Sequence, residues 1–296
     1  MSPDFMIIGA AKSGTTSLAN DLARHQGIFI TDPKEPEFFC RDENYARGLA
    51  WYESLYDSAK PDQIKGEASP HYTDYPAMPH TAPRLAQAYP ELKMVYIVRD
   101  PVERAYSGWL QKLKNQDRWG GDLDVPRQFS EAIRSYRPLI DMGDYKLQIS
   151  RILEYFPREQ LRVYLFEDYV SDRAVMIRDL ALFLGVDPGP LLEFDAKQSN
   201  ASADHFETKA KNRMVNRIKQ IPGVEAAKEL VPEKLRKGAV QAFFQSPLGK
   251  RAVQQAEPDP MSDEDRAYLV DHYRDAVSWL EGYMGRSLSN WAGDSA

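Results

Sequence analysis

Two glycines near the start of the chain, Gly9 and Gly14, are separated by four residues, the spacing that opens a phosphate-binding P-loop. In a P-loop, a lysine and then a serine or threonine follow the second glycine. Here Thr15 and Thr16 follow it, and the lysine is Lys12, inside the loop. A lysine there would reach the group beyond the first phosphate. We therefore predict an anion site that differs from the lysine–magnesium arrangement of nucleotide hydrolases.

The elements around this loop are typical of a ligand-binding α/β protein. Residues 4–8, DFMII, predict a short buried strand, and residues 17–25, SLANDLARH, predict the helix that follows it. The loop between them would lie at the carboxyl end of the strand, where parallel sheets bind ligands. The start of the helix supplies free amides and partial positive charge. The hydroxyl side chains here are further candidates for binding phosphate: Ser13, Thr15, Thr16 and Ser17.

A second candidate site follows another buried strand, predicted over residues 92–98, LKMVYIV. Arg99 comes directly after it, and Asp100 and Pro101 are typical N-cap and first helical residues. Arg99 is suited to clamp a phosphate through two hydrogen bonds, with Ser107, two turns into the helix, donating a third. Arg99 beside Asp100 also fits a plain salt bridge. Together with the first loop, however, the pair favours a ligand with two separated phosphates.

Helical periodicity extends through much of the remaining chain. The helix after 101 has apolar residues on one face, at 102, 105, 106, 109, 110 and 113, and we expect its polar face to carry Arg104, Ser107, Gln111 and Lys114. Further elements are predicted as helix 150–156, strand 161–169, helix 173–184 ended by Gly185, and helix 263–284. Strands alternating with helices predict one domain over 1–296, a P-loop-like parallel sheet flanked by helices. Residues from about 195 to 260 predict a basic lid of helices and loops.

Composition limits the possible functions. The net charge of −6 makes a general nucleic-acid partner unexpected, and no apolar run approaches the roughly 18 residues that span a membrane. The single cysteine, Cys40, fits a reducing compartment, so we expect a soluble cytoplasmic protein. Residues 197–251 carry twelve Lys and Arg against five acids, a local charge of +7. This basic segment fits a lid over the ligand, a surface for an anionic acceptor, or an ordinary solvated surface.

The stretches GAAKSGTTSL and YIVRDPVERAYSGW resemble the two ligand-binding motifs of the sulfotransferases that use 3′-phosphoadenosine 5′-phosphosulfate, PAPS. The resemblance covers most of the chain except about 195–260 and is greatest to the heparan-sulfate-type and bacterial branch. It implies that Lys12 contacts the bridging oxygen of the leaving phosphate. It also implies that Arg99 and Ser107 bind the 3′-phosphate, and that the residues cradling the 5′-phosphate are Gly14, Thr15, Thr16 and Ser17.

The resemblance leaves two residues competing for the role of general base. Glu35 in KEPEFF stands where the heparan-type branch has its catalytic glutamate, and His71 in GEASPHYT stands roughly where the small-phenol branch has a catalytic histidine. Two positions depart from the heparan-type pattern, because Glu37 replaces a usual histidine and Ala68 replaces a usual lysine. We place Glu35 first and His71 second, with Lys34 and Glu67 as expected neighbours of the base.

The expected reaction is sulfuryl transfer from PAPS to an acceptor hydroxyl, with release of 3′-phosphoadenosine 5′-phosphate, PAP. Because the sulfuryl group carries one negative charge, Lys12 could take the place of a metal, and we expect no metal requirement. Expected acceptors are a glycan, a small alcohol or phenol, or another metabolite, and the chain is expected to be a monomer or homodimer. A P-loop kinase or nucleotide hydrolase, or a catalytically silent nucleotide-binding module, is the alternative. Thr15 in the usual lysine position argues against the first of these.

Overall fold

The computed structural model describes residues 1–119, 125–193 and 260–292. Five strands form one parallel sheet in the order β2-β3-β1-β4-β5. The strands are β1 (Phe5–Gly9), β2 (Ile28–Ile30), β3 (Ile64–Glu67), β4 (Lys93–Val98) and β5 (Leu161–Leu165). The predicted parallel sheet is thus confirmed, with β1 between β3 and β4.

Twelve helices accompany the sheet in the described ranges. They are α1 (Thr15–Leu22), α2 (Asp42–Tyr45), α3 (Leu49–Ser54), α4 (Thr81–Ala88), α5 (Pro101–Trp119), α6 (Phe129–Ser135), α7 (Arg137–Asp141), α8 (Tyr145–Leu153), α9 (Phe166–Ser171), α10 (Arg173–Leu184), α11 (Gly189–Glu193) and α12 (Asp263–Met284). Two of these helices, α6 and α7, pack on other helices. Short 3-10 turns occupy Pro70–Thr73, Arg158–Gln160 and Ser289–Ala292. None of the helices in these ranges is long and apolar enough to cross a membrane.

The alternation of side chains along β1 divides the core into two layers. Phe5 and Ile7 join a cluster with residues of α1 and α10, whereas Met6 and Ile8 join a cluster with residues of α4, α8 and α12. All four side chains are fully buried, and β4 is buried almost as completely. A strand buried on both faces is expected to read as a continuous apolar run, which is why these two strands were recognisable from sequence.

Several predicted elements are confirmed, and two are wrong in part. Helix 263–284 is α12, and α10 ends at Gly185, whose left-handed backbone (φ 85°) makes the C-cap. Strand 161–169 is wrong beyond residue 165, because α9 begins at Phe166 with two acids in its first turn, which favour a helix start. Helix 150–156 is wrong at both ends, because α8 begins at Tyr145, with Asp144 as its N-cap, and ends at Leu153. The predicted lid, about 195–260, lies outside the described residues apart from residue 260.

Candidate active site

The loop after β1 leaves the start of α1 open to an anion. Gly14 precedes the helix in a left-handed conformation (φ 88°), and no side chain caps the first turn. The first amides of any helix have no intrahelical partner, and in α1 no capping side chain takes that place. Ser13 is fully buried, and its hydroxyl oxygen has no hydrogen-bond partner among the described residues. An unsatisfied hydroxyl beside uncapped amides fits a phosphate group.

Lys12 connects this loop to α5. Its own backbone is left-handed (φ 75°), an uncommon conformation for lysine that is often found at functional sites. The Lys12 Nζ lies 3.5 Å from Oε1 of Gln111. A Cβ added to Gly108 would lie 3.9 Å from Lys12 Cγ, so the lysine stem passes over α5 next to this glycine. The neighbouring residue is Ser107, which is half-buried, and the two predicted motifs therefore meet.

Arg99 stands at the carboxyl end of β4, beside the strand that carries the first loop. Its backbone is held by Tyr145, whose hydroxyl accepts the Arg99 N–H at 3.2 Å and donates to the Arg99 carbonyl at 2.6 Å. Its guanidinium lies 5.4 Å from the ring of Phe166 and 3.7 Å from the carboxylate of Glu103. A Cβ on Gly14 would lie 2.7 Å from the same Phe166 ring. Phe166 thus contacts both candidate phosphate sites.

Asp100 makes the predicted N-cap of α5 by accepting the Val102 N–H at 2.8 Å. Burial raises the pKa of the Asp100 carboxyl to about 6, although the backbone hydrogen bonds that it accepts act in the opposite direction. A cavity of about 390 Å³ opens here and is lined by Arg99, Asp100, Glu103, Phe166, Glu167, Val170, Asn290 and Trp291. The cap fixes the direction in which α5 leaves the strand, and so the position of Ser107.

The predicted polar face of α5 is wrong at Arg104. This side chain is only 1% exposed, and it donates to the carbonyl oxygen of Leu139 and lies 3.8 Å from the sulfur of Met142. Helix α7 and the turn after it cover this part of α5, and the last carbonyls of a short helix need donors. Arg104 is therefore a structural residue between α5 and α7, whereas Lys114 remains exposed.

The two candidate bases lie on neighbouring segments at the carboxyl edge of the sheet. Glu35 is exposed and forms an ion pair with Lys34, whose Nζ lies 3.3 Å from Oγ1 of Thr16 in α1. His71 lies in the 3-10 turn after β3, with Nδ1 3.5 Å from the carboxylate of Asp74 and Nε2 3.8 Å from that of Glu37. The same turn is tied to β1, because the Thr73 hydroxyl donates to the Ile8 carbonyl at 3.0 Å. The choice between the two bases therefore stays a prediction.

Three residues around the site were not assigned these contacts from the sequence. Phe166 contacts Gly14 and Arg99, Tyr145 holds the Arg99 backbone, and Glu67 is a fully buried carboxyl at the end of β3. Burial raises the pKa of Glu67 to about 7, against the lowering effect of the hydroxyl groups that donate to it. The resemblance of GEASPHYT had already placed Glu67 next to the base, whereas no local sequence pattern pointed to the contacts of Phe166 and Tyr145.

The fold defines a P-loop-like α/β protein, and its two candidate anion sites lie at the carboxyl ends of adjacent strands. Comparison with known families makes the class specific: a model described as "Sulfotransferase domain" matches residues 2–255. The chain belongs to this family, and the predicted resemblance is confirmed.

Relatives of known name include mouse heparan sulfate glucosamine 3-O-sulfotransferase 5, which is 29% identical over 192 residues, 63% of this chain and 54% of the relative. Mouse heparan sulfate glucosamine 3-O-sulfotransferase 3B1 is 33% identical over 193 residues, 62% of this chain and 46% of the relative. The chain thus spans about half the length of these relatives. A crystal structure of a sulfotransferase from Alicyclobacillus acidocaldarius aligns with a TM-score of 0.64 and 26% identity, covering 98% of this chain and 99% of that one.

Proposed function

We propose that the protein transfers a sulfuryl group from PAPS to an acceptor hydroxyl and releases PAP. The observation that carries this proposal is the path of Lys12, which leaves the first loop and lies against α5 beside Gly108. The loop that would hold one phosphate and the helix that would hold the other are thereby in contact. Membership of the sulfotransferase family supports the same reaction.

The residues present fit this donor. The uncapped start of α1 and the unpartnered Ser13 hydroxyl suit the 5′-phosphate, and Arg99 with Ser107 suits the 3′-phosphate. When bound, the donor supplies an electrophilic sulfur: the acceptor oxygen bonds to it, its bond to the phosphate oxygen breaks, and the electron pair leaves with PAP. Lys12 is positioned in the loop to stabilise the negative charge that develops on that oxygen.

The proton of the acceptor hydroxyl is assigned to Glu35, with His71 as the second candidate. Glu35 forms an ion pair with Lys34, whose Nζ lies close to Thr16 at the start of α1. His71 lies in the 3-10 turn whose Thr73 hydroxyl donates to a carbonyl of β1. We propose a glycan hydroxyl as the first acceptor to test, because the named relatives act on heparan sulfate glucosamine. Small alcohols and phenols are the alternatives. Ala68 is fully buried and contributes no charge to an acceptor site.

The direct test is a screen of acceptors with isotopically labelled PAPS and the purified protein. Lys12→Ala should lower kcat by roughly 10²–10³-fold, the loss typical for removing one group that stabilises a transition-state charge. Lys60→Ala is the matched control, because this exposed lysine precedes β3 at the opposite edge of the sheet and should leave kcat within about twofold. Circular dichroism should show that both variants are folded. Unchanged turnover of Lys12→Ala would remove this residue from the mechanism.

The same screen separates the alternatives. Turnover of ATP with Mg²⁺ in the absence of PAPS would indicate a kinase or nucleotide hydrolase instead. Tight binding of PAP with no transfer to any acceptor would indicate a binding module without chemistry. Transfer of label that depends on PAPS and Lys12 is the result that we expect.

A further inference from the structure

Glu67, the last residue of β3, is fully buried and receives three hydroxyl groups. The hydroxyls of Tyr52 and Tyr72 donate to its Oε1 at 2.7 and 2.8 Å, and the Ser69 hydroxyl donates to its Oε2. A buried carboxylate is costly unless hydrogen bonds compensate for the lost water. Three donors on two oxygens are an arrangement suited to the ionised form.

Two of these hydroxyls also accept a hydrogen bond from a backbone N–H group. Ser69 accepts the backbone N–H of Glu37 at 3.1 Å, and Tyr72 accepts that of Phe39 at 3.5 Å. Because an N–H group cannot accept, both of these hydroxyls are left to donate their own protons to Glu67. Protonating Glu67 would make its oxygens weaker acceptors and so weaken the three hydrogen bonds that they receive.

Two of the three hydrogen-bonded paths to Glu67, those through Ser69 and Tyr72, start in the loop that carries the candidate base. We call residues 34–41 the acidic loop. Within it Glu37 has a left-handed backbone (φ 48°), a strained state that persists only when the surroundings hold it. The Glu37 carboxylate bonds Arg41 at 2.9 Å and lies 3.8 Å from Nε2 of His71. The bond from its N–H to Ser69 is therefore one of the contacts that keep Glu37 in this conformation.

We propose that ionised Glu67 is a positioning residue for sulfuryl transfer, which holds the acidic loop, and with it Glu35 and Glu37, in the arrangement used to receive the acceptor. The catalytic part of this inference rests on the proposed function; the structural part does not. Glu67 itself is buried and lies behind the loop, so it acts through Ser69 and Tyr72 and not on the acceptor. Burial raises the pKa of Glu67, whereas the hydrogen bonds that it accepts lower this pKa. If the loop opens while Glu67 stays buried, these hydrogen bonds weaken, and the open state then binds the proton more tightly than the closed state. Acidification should therefore loosen the loop and slow transfer together, although the burial contribution alone would act on global stability in the opposite direction.

Other ionisable groups face Glu67 from each surrounding segment. They are Glu37 and Cys40 of the acidic loop, Tyr52 and Tyr56 at α3, Tyr72 of the 3-10 turn, and Tyr89 after α4. Burial raises the pKa of Cys40 and of all four tyrosines, so these groups stay neutral through the range in which Glu67 titrates. The Glu37 carboxylate forms an ion pair with Arg41.

The kinetic test compares the wild type with Glu67→Gln between pH 5.5 and 8.5. Because the pKa of Glu67 is about 7, wild-type kcat should fall about tenfold on acidification through that range. Glu67→Gln should show the lower kcat throughout, with a flat profile and a KM for PAPS within about twofold of wild type. His71→Asn should keep the fall near pH 7, whatever its absolute rate. A steep profile in Glu67→Gln would overturn the proposal.

A second measurement does not need the reaction. Hydrogen exchange followed by mass spectrometry should show that peptides covering 34–41 lose protection when wild type is acidified from pH 8 to 6, after correction for intrinsic exchange rates. In Ser69→Ala, protection of these peptides should fall about tenfold at pH 8, because the hydrogen-bonded path from Glu37 to Glu67 is removed. This variant keeps the inference testable if Glu67→Gln does not fold. Wild-type protection in Ser69→Ala would contradict the inference. If exchange behaves as expected but no acceptor is sulfated, the proposed function fails, and the structural part of the inference, that ionised Glu67 holds the acidic loop, still stands.

Discussion

Gly14 is the point where the start of α1 meets the ring of Phe166, and replacing it with alanine tests that contact quantitatively. The new Cβ would lie 2.7 Å from Cδ2 of Phe166, whereas ordinary contacts begin at 3.4 Å. The ring must therefore move by several tenths of an ångström. Because the same ring lies 5.4 Å from the Arg99 guanidinium, the change should reach both candidate phosphate sites.

Two costs add in Gly14→Ala. A left-handed backbone (φ 88°) costs alanine roughly 1–2 kcal/mol relative to glycine. Forcing an extra methyl group into a packed contact costs about 1–3 kcal/mol more. The free energy of unfolding should fall by about 2–5 kcal/mol, and Tm by roughly 3–8 °C for a chain of this size. The Kd for PAP should rise about tenfold.

Gly185→Ala is a matched control for the backbone cost alone. Gly185 has almost the same φ, 85°, but no atom of the described residues lies within 4 Å of its added Cβ. This variant should lose only about 1–2 kcal/mol of stability and bind PAP like wild type. The measurements are denaturant unfolding of all variants and calorimetric titration with PAP.

The double variant Gly14→Ala/Phe166→Leu decides whether the ring is responsible. Leucine leaves room for the new methyl group, so the added cost of Gly14→Ala should be smaller in this background than in wild type. Equal unfolding free energies for Gly14→Ala and Gly185→Ala, with no coupling to Phe166, would refute the reasoning.

Further predictions concern groups around the second site. The pKa of Asp100 is raised from 3.8 to about 6, so its ionisation lowers wild-type stability as pH rises through this interval. Asp100→Asn keeps the cap and should gain about 1 kcal/mol at pH 8, whereas Asp100→Ala should be about 1 kcal/mol less stable than Asp100→Asn; denaturant unfolding at pH 5 and 8 checks both. Arg104→Met should lose about 1–3 kcal/mol in the same assay, because it leaves a buried carbonyl without its donor. Tyr145→Phe should weaken PAP binding about tenfold by freeing the Arg99 backbone, whereas Tyr273→Phe, which removes another buried hydroxyl, should lose stability only; calorimetry separates them. EDTA should leave the rate of sulfuryl transfer unchanged, and inhibition reversed by Mg²⁺ would contradict the expected role of Lys12.

The strands differed in how much of their structure was visible in the sequence. FMII of β1 and MVYIV of β4 are apolar throughout because both faces are covered, and such runs are easily recognised. Strands β2 and β3 have three and four residues, too few for a periodic signal, and β3 contains a lysine and a glutamate. The β-like pattern of LRVYL continues into FEDY, so sequence alone extended β5 into a helix.

The site was predictable where its chemistry is local. The glycine spacing around Lys12 and the Arg-Asp-Pro turn at Arg99 are read from a few adjacent residues. Arg104 was misplaced because helical periodicity does not reveal that α7 covers that face of α5. Contacts of Phe166 and Tyr145 join residues far apart in the chain, 46 positions in the case of Tyr145 and Arg99, and no local pattern encodes them.

The place of β1 in the middle of the sheet has a consequence for biosynthesis. Its two neighbours, β3 and β4, are made only when synthesis reaches residues 67 and 98. Parallel pairing between such distant segments is slow, because the long intervening chain must first be closed into a loop. The glycine loop is made before either of these neighbours, yet it acquires its final shape only after β4 has been made. Fragments that stop before β4 should therefore not bind PAP, however intact their first thirty residues.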